Sequence, residues 1–330
     1  MEVFLIAEIA QAHDGSIGIL HSYIDALSKT GVNAIKFQTH IADAESSSSE
    51  PFRINFSYED KTRFDYWKRM EFTFDQWLSI KTHCESVGLE FISSPFSIAA
   101  VDLLERLNVK KYKIGSGEIN NYLMLEKIAL TGKDIILSTG LSDYLEIDQT
   151  YNFLKSYKNK LTILQCTTKY PTNAEDIGLT NILKMKERYN TDVGLSDHSS
   201  TIYPSIAAVS LGAKVIEFHA VFDKDMFGPD SKSSLTISEI KQLVEGVRFI
   251  EKAMKVKKAD DNGETKKMFE KSLAVNRNLK SGDIILKKFL ESKKPYGMGI
   301  SAKNFNEVVG KKLRKDLDKW SFLNYEDIIW

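Results

Sequence analysis

A recurrence constrains this chain more than any other feature. Eight short runs rich in β-branched residues appear in order, most followed by a stretch with helical apolar spacing. The runs are Val3–Glu8, Asn33–Gln38, Leu89–Ser93, Lys111–Gly115, Asp134–Ser138, Leu161–Cys166, Asp192–Ser196 and Lys214–His219. Between them lie predicted helices such as Ile19–Thr30, Thr73–Val87, Ile98–Leu107 and Tyr203–Leu211, with glycine at joins such as Thr30-Gly31 and Leu211-Gly212. Strands alternating with helices imply parallel βαβ units. Eight of them in about 220 residues match the count and length of a (β/α)8 TIM barrel, which is the expected fold. An open doubly wound sheet would more often carry a glycine-rich first turn. The first turn here is Ala10-Gln11-Ala12-His13-Asp14-Gly15, with no GxGxxG.

A further helix over Ile237–Met254 is expected to close the barrel, giving a catalytic domain over residues 1–255. Residues 256–267 are charged and poor in large apolar groups, so they read as a linker. The remainder, 268–330, has short strands, turns and a Gly-Met-Gly at 297–299, and reads as a small α+β module.

Composition narrows the function. Lys+Arg and Asp+Glu are both 45, so the formal net charge is zero, without the basic excess of a nucleic-acid binder. The two cysteines, Cys84 and Cys166, form no CxxC pair or disulfide framework, which suits a reducing compartment. No run approaches the ~18 apolar residues of a membrane span. The apolar start, Met1 to Glu8, is too brief for a signal peptide and lacks a basic opening. A cytoplasmic protein with neither nucleic-acid nor membrane partners is expected.

In a barrel, polar side chains at the C-terminal ends of the strands converge on one face. Here that set is Glu8; Lys36, Gln38, Thr39 and His40; Ser93 and Ser94; Lys113, Ser116 and Glu118; Ser138 and Thr139; Thr167, Thr168 and Tyr170; Ser196, Asp197 and His198; and His219. Two histidines ending neighbouring strands, His198 and His219, can share a divalent ion and leave positions open to polarise a carbonyl. Lys36 and Lys113 lie inside strand-like runs, where lysine is costly unless paired with an anion. The partner is either a barrel carboxylate such as Glu118 or a doubly anionic ligand, with Ser94, Ser116, Ser138 and Ser196 completing a phosphate cradle. A Schiff-base lysine is a third option. Asp230, in Phe227-Gly228-Pro229-Asp230-Ser231, either binds substrate hydroxyls or is an ordinary turn aspartate. Cys166 reads as a buried strand-end thiol rather than a nucleophile.

These segments resemble the sialic acid synthase family, which comprises N-acetylneuraminate, legionaminate and pseudaminate synthases. The matching stretches are Ala7-Glu8-Ile9, Lys36-Phe37-Gln38-Thr39, Ile92-Ser93-Ser94-Pro95-Phe96, Tyr112-Lys113-Ile114-Gly115-Ser116-Gly117-Glu118, Leu137-Ser138-Thr139-Gly140, Gln165-Cys166-Thr167, Tyr170-Pro171-Thr172, Gly194-Leu195-Ser196-Asp197-His198 and Gly228-Pro229-Asp230. The tail resembles the family's antifreeze-like (SAF) module through Lys280-Ser281-Gly282-Asp283, Lys294-Pro295, Gly299-Ile300 and Gly310-Lys311.

The resemblance implies a PEP-dependent C–C bond-forming transferase. It implies Mn2+ or Mg2+ on His198 and His219, and phosphoenolpyruvate on Lys36, Lys113, Ser94, Ser116, Ser138 and Ser196. It places Gln38, Tyr170 and Asp230 toward an N-acetylated amino sugar, and makes Glu8 and Glu118 the catalytic carboxylates. It also implies a homodimer in which the small module covers the partner's barrel mouth. Lys294 stands where the family's module offers the substrate an arginine, and lysine cannot reproduce that bidentate fork. The expected acceptor is N-acetylmannosamine, giving N-acetylneuraminate, with a 2,4-diacetamido-2,4,6-trideoxyhexose as the alternative, giving legionaminate or, less in keeping with Gly115-Ser116-Gly117-Glu118 followed by Asn120-Asn121, pseudaminate. Other readings are a barrel making a 3-deoxy-ulosonate phosphate, an inactive sugar-binding barrel, and an interaction protein working through its tail.

Overall fold

The computed structural model describes residues 2–54, 56–255 and 263–330. The chain divides into two compact units, Met1–Lys255 and Val256–Trp330.

In the first unit, β1 (Phe4–Glu8), β2 (Ala34–Thr39), β3 (Glu90–Pro95), β4 (Lys111–Ile114), β5 (Asp134–Ser138), β6 (Leu161–Cys166), β7 (Asp192–Asp197) and β8 (Val215–Val221) pair side by side in chain order. Every pairing is parallel, and β1 also pairs with β8, closing the expected (β/α)8 barrel. Around it run α1 (Ile17–Leu27), α2 (Ala42–Glu45), α3 (Arg63–Met70), α4 (Phe74–Ser86), α5 (Ile98–Arg106), α6 (Tyr122–Ala129), α7 (Tyr144–Lys155), α8 (Asn181–Tyr189) and α9 (Tyr203–Ser210). A short β9 (Leu235–Thr236) pairs with β8 and leads into α10 (Ile237–Ala253). Helix starts are fixed locally. Capping boxes at Thr62, Thr73, Asp143 and Thr236 bond the first-turn amides and are answered by Asp65, Gln76, Glu146 and Glu239.

Apolar residues fill the space between strands and helices, with Leu5, Ile35, Phe37, Trp77 and Ile216 among the fully packed ones. Inside the barrel, side chains alternate with the strand period of two. Ile6, Ala34, Ile92, Ile136, Leu164 and Val215 form an apolar interior layer. Two residues further along the same strands stand Glu8, Lys36, Ser94, Ser138, Cys166 and Glu217. The interior therefore changes from hydrocarbon to charge within one step of the pleat. Gly194 belongs to the apolar layer: a Cβ there would fall 2.6 Å from Leu164 Cδ2 and 2.1 Å from the Val215 carbonyl oxygen. Only a residue without a side chain lets β7 lie against β8 at that register.

In the second unit, α11 (Gly263–Phe269) precedes β10 (Ser272–Val275), which pairs antiparallel with β11 (Leu290–Lys293). β12 (Lys312–Leu313) and β13 (Ile328–Ile329) form a second antiparallel pair. Leu273, Val275, Ile285, Ile300, Leu313, Leu323 and Ile328 make a separate small core. Part of the stretch expected as a linker, 256–267, is helical. Residues 256–262 lie outside the described residues, and 263–267 belong to α11, where Glu264, Lys266 and Lys267 are good helix formers. Lys294 is exposed in this unit, with Nζ 4.8 Å from the Phe269 ring centroid.

Candidate active site

At the C-terminal end of the barrel the strands open onto a cavity of about 360 Å³, within the size range of small-ligand sites. Its floor is the polar layer. Lys36 Nζ lies 2.8 Å from Glu8 Oε2 and 3.7 Å from Glu217 Oε1, and Lys113 Nζ lies 3.3 Å from the same Glu217 oxygen. The hydroxyls follow: Lys36 donates to Ser94 Oγ at 3.3 Å, Lys113 to Ser138 Oγ at 2.7 Å, and Ser196 to Glu217 Oε1 at 3.0 Å. All four charged groups are buried, at 1–4% exposure.

Burial and pairing work against each other in this floor. Burial pushes the Glu8 carboxyl up, more strongly than Lys36 pulls it down. Burial likewise pushes Lys113 down, with Glu217 opposing. For Glu217 the balance reverses: against the upward push of burial, Lys113 and Lys36 hold it at about 2. Glu217 is therefore the fixed anion of the floor. Its Oε2, like Thr168 Oγ1, is buried with no hydrogen-bond partner among the described residues. A polar ligand in the cavity would satisfy both.

Above the floor stand the histidines. Their rings lie 5.2 Å apart between centroids, with Tyr170 packed 4.2 Å from His198 and 5.9 Å from His219. His198 Nδ1 sits 2.9 Å from the Thr167 carbonyl oxygen. A carbonyl only accepts, so Nδ1 carries a proton, and Nε2 is the nitrogen that would offer a lone pair when the ring is neutral. Asp197, bonded to Ser199 N at 2.8 Å and Ser205 Oγ at 3.2 Å, anchors the turn that presents His198. Burial pushes His219 well below the ordinary imidazole range, which favours its neutral form. Two imidazole lone pairs, one with its tautomer fixed by a backbone partner, form a donor set suited to a divalent cation. Among the described residues no group of three His, Cys, Asp or Glu side chains gathers around one point. An ion held here would take its other ligands from water and substrate.

Three arrangements line the walls. Glu118, half-buried at the end of β4, accepts from Asn121 Nδ2 at 2.9 Å, and burial raises its carboxyl. Gln38 Nε2 donates to Glu8 Oε1 at 2.9 Å, while its Oε1 faces Gln11 Nε2 at 2.5 Å and His40 Nε2 at 3.1 Å. His40 is itself stacked between Trp67 (4.0 Å) and Phe96 (4.6 Å), with Glu45 Oε1 2.5 Å from its Nδ1. On the far wall, Arg53 donates to Asp230 Oδ1 at 2.5 Å and lies 4.1 Å over the Tyr170 ring.

A family model described as the NeuB family matches residues 23–259, most of the chain. The chain belongs to the NeuB family. This NeuB-family chain is 34% identical to the N,N'-diacetyllegionaminic acid synthase of Campylobacter jejuni over 324 residues, 96% of this chain and 97% of that one. It is 31% identical to the human N-acetylneuraminate-9-phosphate synthase over 324 residues, 94% of this chain and 88% of that one. Among solved structures, an N-acetylneuraminic acid synthetase from Leptospira borgpetersenii in complex with citrate superposes with a TM-score of 0.71 at 29% identity. That match covers 80% of this chain and 90% of the other.

Of the residues singled out in this NeuB-family sequence, Lys36, Gln38, Ser94, Lys113, Ser116, Glu118, Ser138, Tyr170, Ser196, His198, His219 and Asp230 all line the cavity. Glu8 sits just beneath, bonded to Lys36 and Gln38. Lys294 belongs to the second unit and lies among its own neighbours there. The carboxylates that pair with the lysines are Glu8 and Glu217, not Glu118, because the latter stands beyond the strand end rather than in the floor layer. Ser116 Oγ accepts from Gly140 N at 2.9 Å and lies 3.6 Å from Cys166 Sγ. Cys166 is buried as expected, and it also stands beside His198, a neighbour the sequence did not suggest.

The polar set named from the sequence holds His40 but not its partner Glu45, nor Glu217 or Arg53. Glu217 was within reach, since it precedes His219 by two residues on one strand and must share its face. Arg53 was not. It lies in the irregular segment between α2 and α3, which has no period to follow.

Proposed function

We propose that this chain is a nonulosonic acid synthase that joins phosphoenolpyruvate, an N-acetylated amino sugar and water into a nine-carbon acid and phosphate. The observation that carries the reading is the pair of buried lysines, Lys36 and Lys113, set among hydroxyls and facing an open cavity. Glu217 is shared between both lysines and burial pushes the Glu8 carboxyl up, so the two carboxylates offset the lysines' cost only in part and an anionic ligand would complete it. In this reading, Lys36, Lys113, Ser94, Ser116, Ser138 and Ser196 hold the phosphate and carboxylate of phosphoenolpyruvate. Mn2+ or Mg2+ held by His198 and His219 would supply Lewis-acid polarisation of the sugar's aldehyde oxygen. Gln38, Tyr170 and Asp230 orient the open-chain sugar so that its aldehyde carbon meets C3 of phosphoenolpyruvate. As that C–C bond forms, positive charge grows at C2, and the Glu8 carboxylate stabilises it from below. Glu118 takes a proton from the water that adds to C2. The C2–O bond to phosphate then breaks, and phosphate leaves.

N-acetylmannosamine, giving N-acetylneuraminate, is the acceptor we assign. The second reading is a 2,4-diacetamido-2,4,6-trideoxyhexose, since a legionaminic acid synthase of Campylobacter jejuni is 34% identical and a pseudaminic acid synthase of the same organism 35% identical. The same reading includes a cytoplasmic homodimer, which sedimentation would check. The test is phosphate release from phosphoenolpyruvate with Mn2+ and each sugar in parallel, together with Mn2+ binding by electron spin resonance. Turnover with either sugar, and loss of both turnover and bound Mn2+ in His198→Ala, is the expected result. Folded, metal-loaded protein that is silent with both sugars would sink the proposal.

A further inference from the structure

Arg53 is set into the cavity wall from outside the barrel proper. Its Nη2 donates to Asp230 Oδ1 at 2.5 Å and to the Pro229 carbonyl at 3.3 Å, while its guanidinium rests 4.1 Å over the Tyr170 ring. The segment that carries it is pinned to the loop after β8, since Phe56 packs against Phe227 with centroids 5.4 Å apart. Tyr170 connects this wall to the imidazole pair, packing 4.2 Å from His198. An acceptor whose reacting carbon lies at the imidazoles therefore directs its remote end to Arg53 and Asp230.

The charge state of that end matters. A guanidinium facing a cavity alone is a bidentate phosphate receptor. Here the guanidinium is already bound by a carboxylate at hydrogen-bond distance, and the Asp230 side chain is only 16% exposed. The pair is neutral as a unit and presents an anion beside the cation. Among the described residues Arg53 Nε and Nη1 carry no hydrogen bond, so donors remain for hydroxyl or amide oxygens. A phosphate approaching the same donors meets the Asp230 charge at close range, where the Asp230 carboxylate is largely shielded although the Arg53 side chain is 37% exposed.

We propose that the Arg53–Asp230 pair is a specificity element for the acceptor, admitting a neutral amino sugar and turning away the same sugar carrying a phosphate at its remote end. This rests on the synthase reading above. The experiment compares kcat/KM for N-acetylmannosamine, its 6-phosphate and the 2,4-diacetamido sugar, at saturating phosphoenolpyruvate and Mn2+. Wild type, Asp230→Asn, Arg53→Met and the double variant are assayed, each with its thermal midpoint measured. Where the 6-phosphate is not turned over, its inhibition constant against the neutral sugar is the readout.

Asp230→Asn leaves the Arg53 charge uncompensated and should move selectivity toward the phosphorylated sugar at least tenfold, by strengthening its binding as well as weakening that of the neutral sugar. Adding Arg53→Met should cancel the gain. Arg53→Met alone should raise KM for the neutral acceptor about tenfold and leave KM for phosphoenolpyruvate unchanged, a split that general unfolding would not produce. Selectivity unmoved by Asp230→Asn, or moved equally in the double variant, overturns the proposal, as does a wild type that prefers the phosphorylated sugar. A wild type silent with every sugar fails the synthase reading first and takes this one with it.

Discussion

Glu217 of β8 reaches across the barrel to Lys113 of β4, with 3.3 Å between carboxylate oxygen and ammonium. The same oxygen lies 3.7 Å from Lys36, so one carboxylate serves two buried cations. Removing one member of such a buried set costs about 3–5 kcal/mol, because the charges left behind have no water to replace it. Glu217→Ala should lose about that much stability in urea unfolding. Phosphoenolpyruvate should then stabilise the variant by more than it stabilises wild type, since the ligand's negative charge replaces the missing one.

Glu118 gives a pH dependence. Burial, with the nearby Glu45 charge adding to it, raises the Glu118 carboxyl above its ordinary value of 4.5. A base must be ionised to work, so the acid limb of kcat/KM should lie above the ordinary carboxylate range and be absent from the residual rate of Glu118→Gln. For stability the sign is opposite. A folded-state pKa raised above the unfolded one favours the fold most fully below pH 4.5, and that contribution is lost as pH rises through the folded value. Unfolding of Glu118→Gln against pH should lack that decline.

His40 holds Gln38 in place without lying in the floor. His40→Phe keeps a flat ring between Trp67 and Phe96 but removes the nitrogens facing Gln38 and Glu45. A buried polar group left without its partner costs about 1–3 kcal/mol. The variant should fold with a lowered thermal midpoint and show a raised acceptor KM, with KM for phosphoenolpyruvate unchanged.

Gly140 tests the close packing beneath the cavity rim. A Cβ there would fall 2.5 Å from Thr168 Oγ1, 2.8 Å from Cys166 Sγ and 3.0 Å from Ser116 Oγ. Overpacking of this kind costs about 1–3 kcal/mol and displaces the neighbours. Gly140→Ala should lower kcat/KM by more than tenfold while circular dichroism remains that of wild type.

The barrel was legible because its information is periodic. Each β-branched run and each helical stretch repeats a local rule, and eight repetitions leave few alternatives. The floor was partly legible for the same reason: Lys36 and Lys113 betray themselves as charges within apolar strands. Their carboxylate partners were harder to assign, because pairing depends on which strands face each other across the barrel rather than on neighbours in sequence. Glu217 on β8 answers Lys113 on β4 from more than a hundred residues away. Arg53 was hidden for a different reason. Its segment between α2 and α3 has no regular period, and its place over the cavity comes from Phe52, Phe56 and Tyr66 packing against one another, a contact that spacing does not encode. Charge alone does not tell extended linker from helix in 256–267, since Glu and Lys are also good helix formers.

Gly194 acts as the feeler gauge of the machine. It touches no ligand and bears no chemistry, yet the clearance between the last two strands is set at its α-carbon, against Val215. Four residues on from each member of that matched pair stand His198 and His219, so the gap between the imidazoles inherits the tolerance fixed deep in the barrel. A single methyl group at Gly194 would be felt at the mouth as a misfit between two rings that had not themselves been altered.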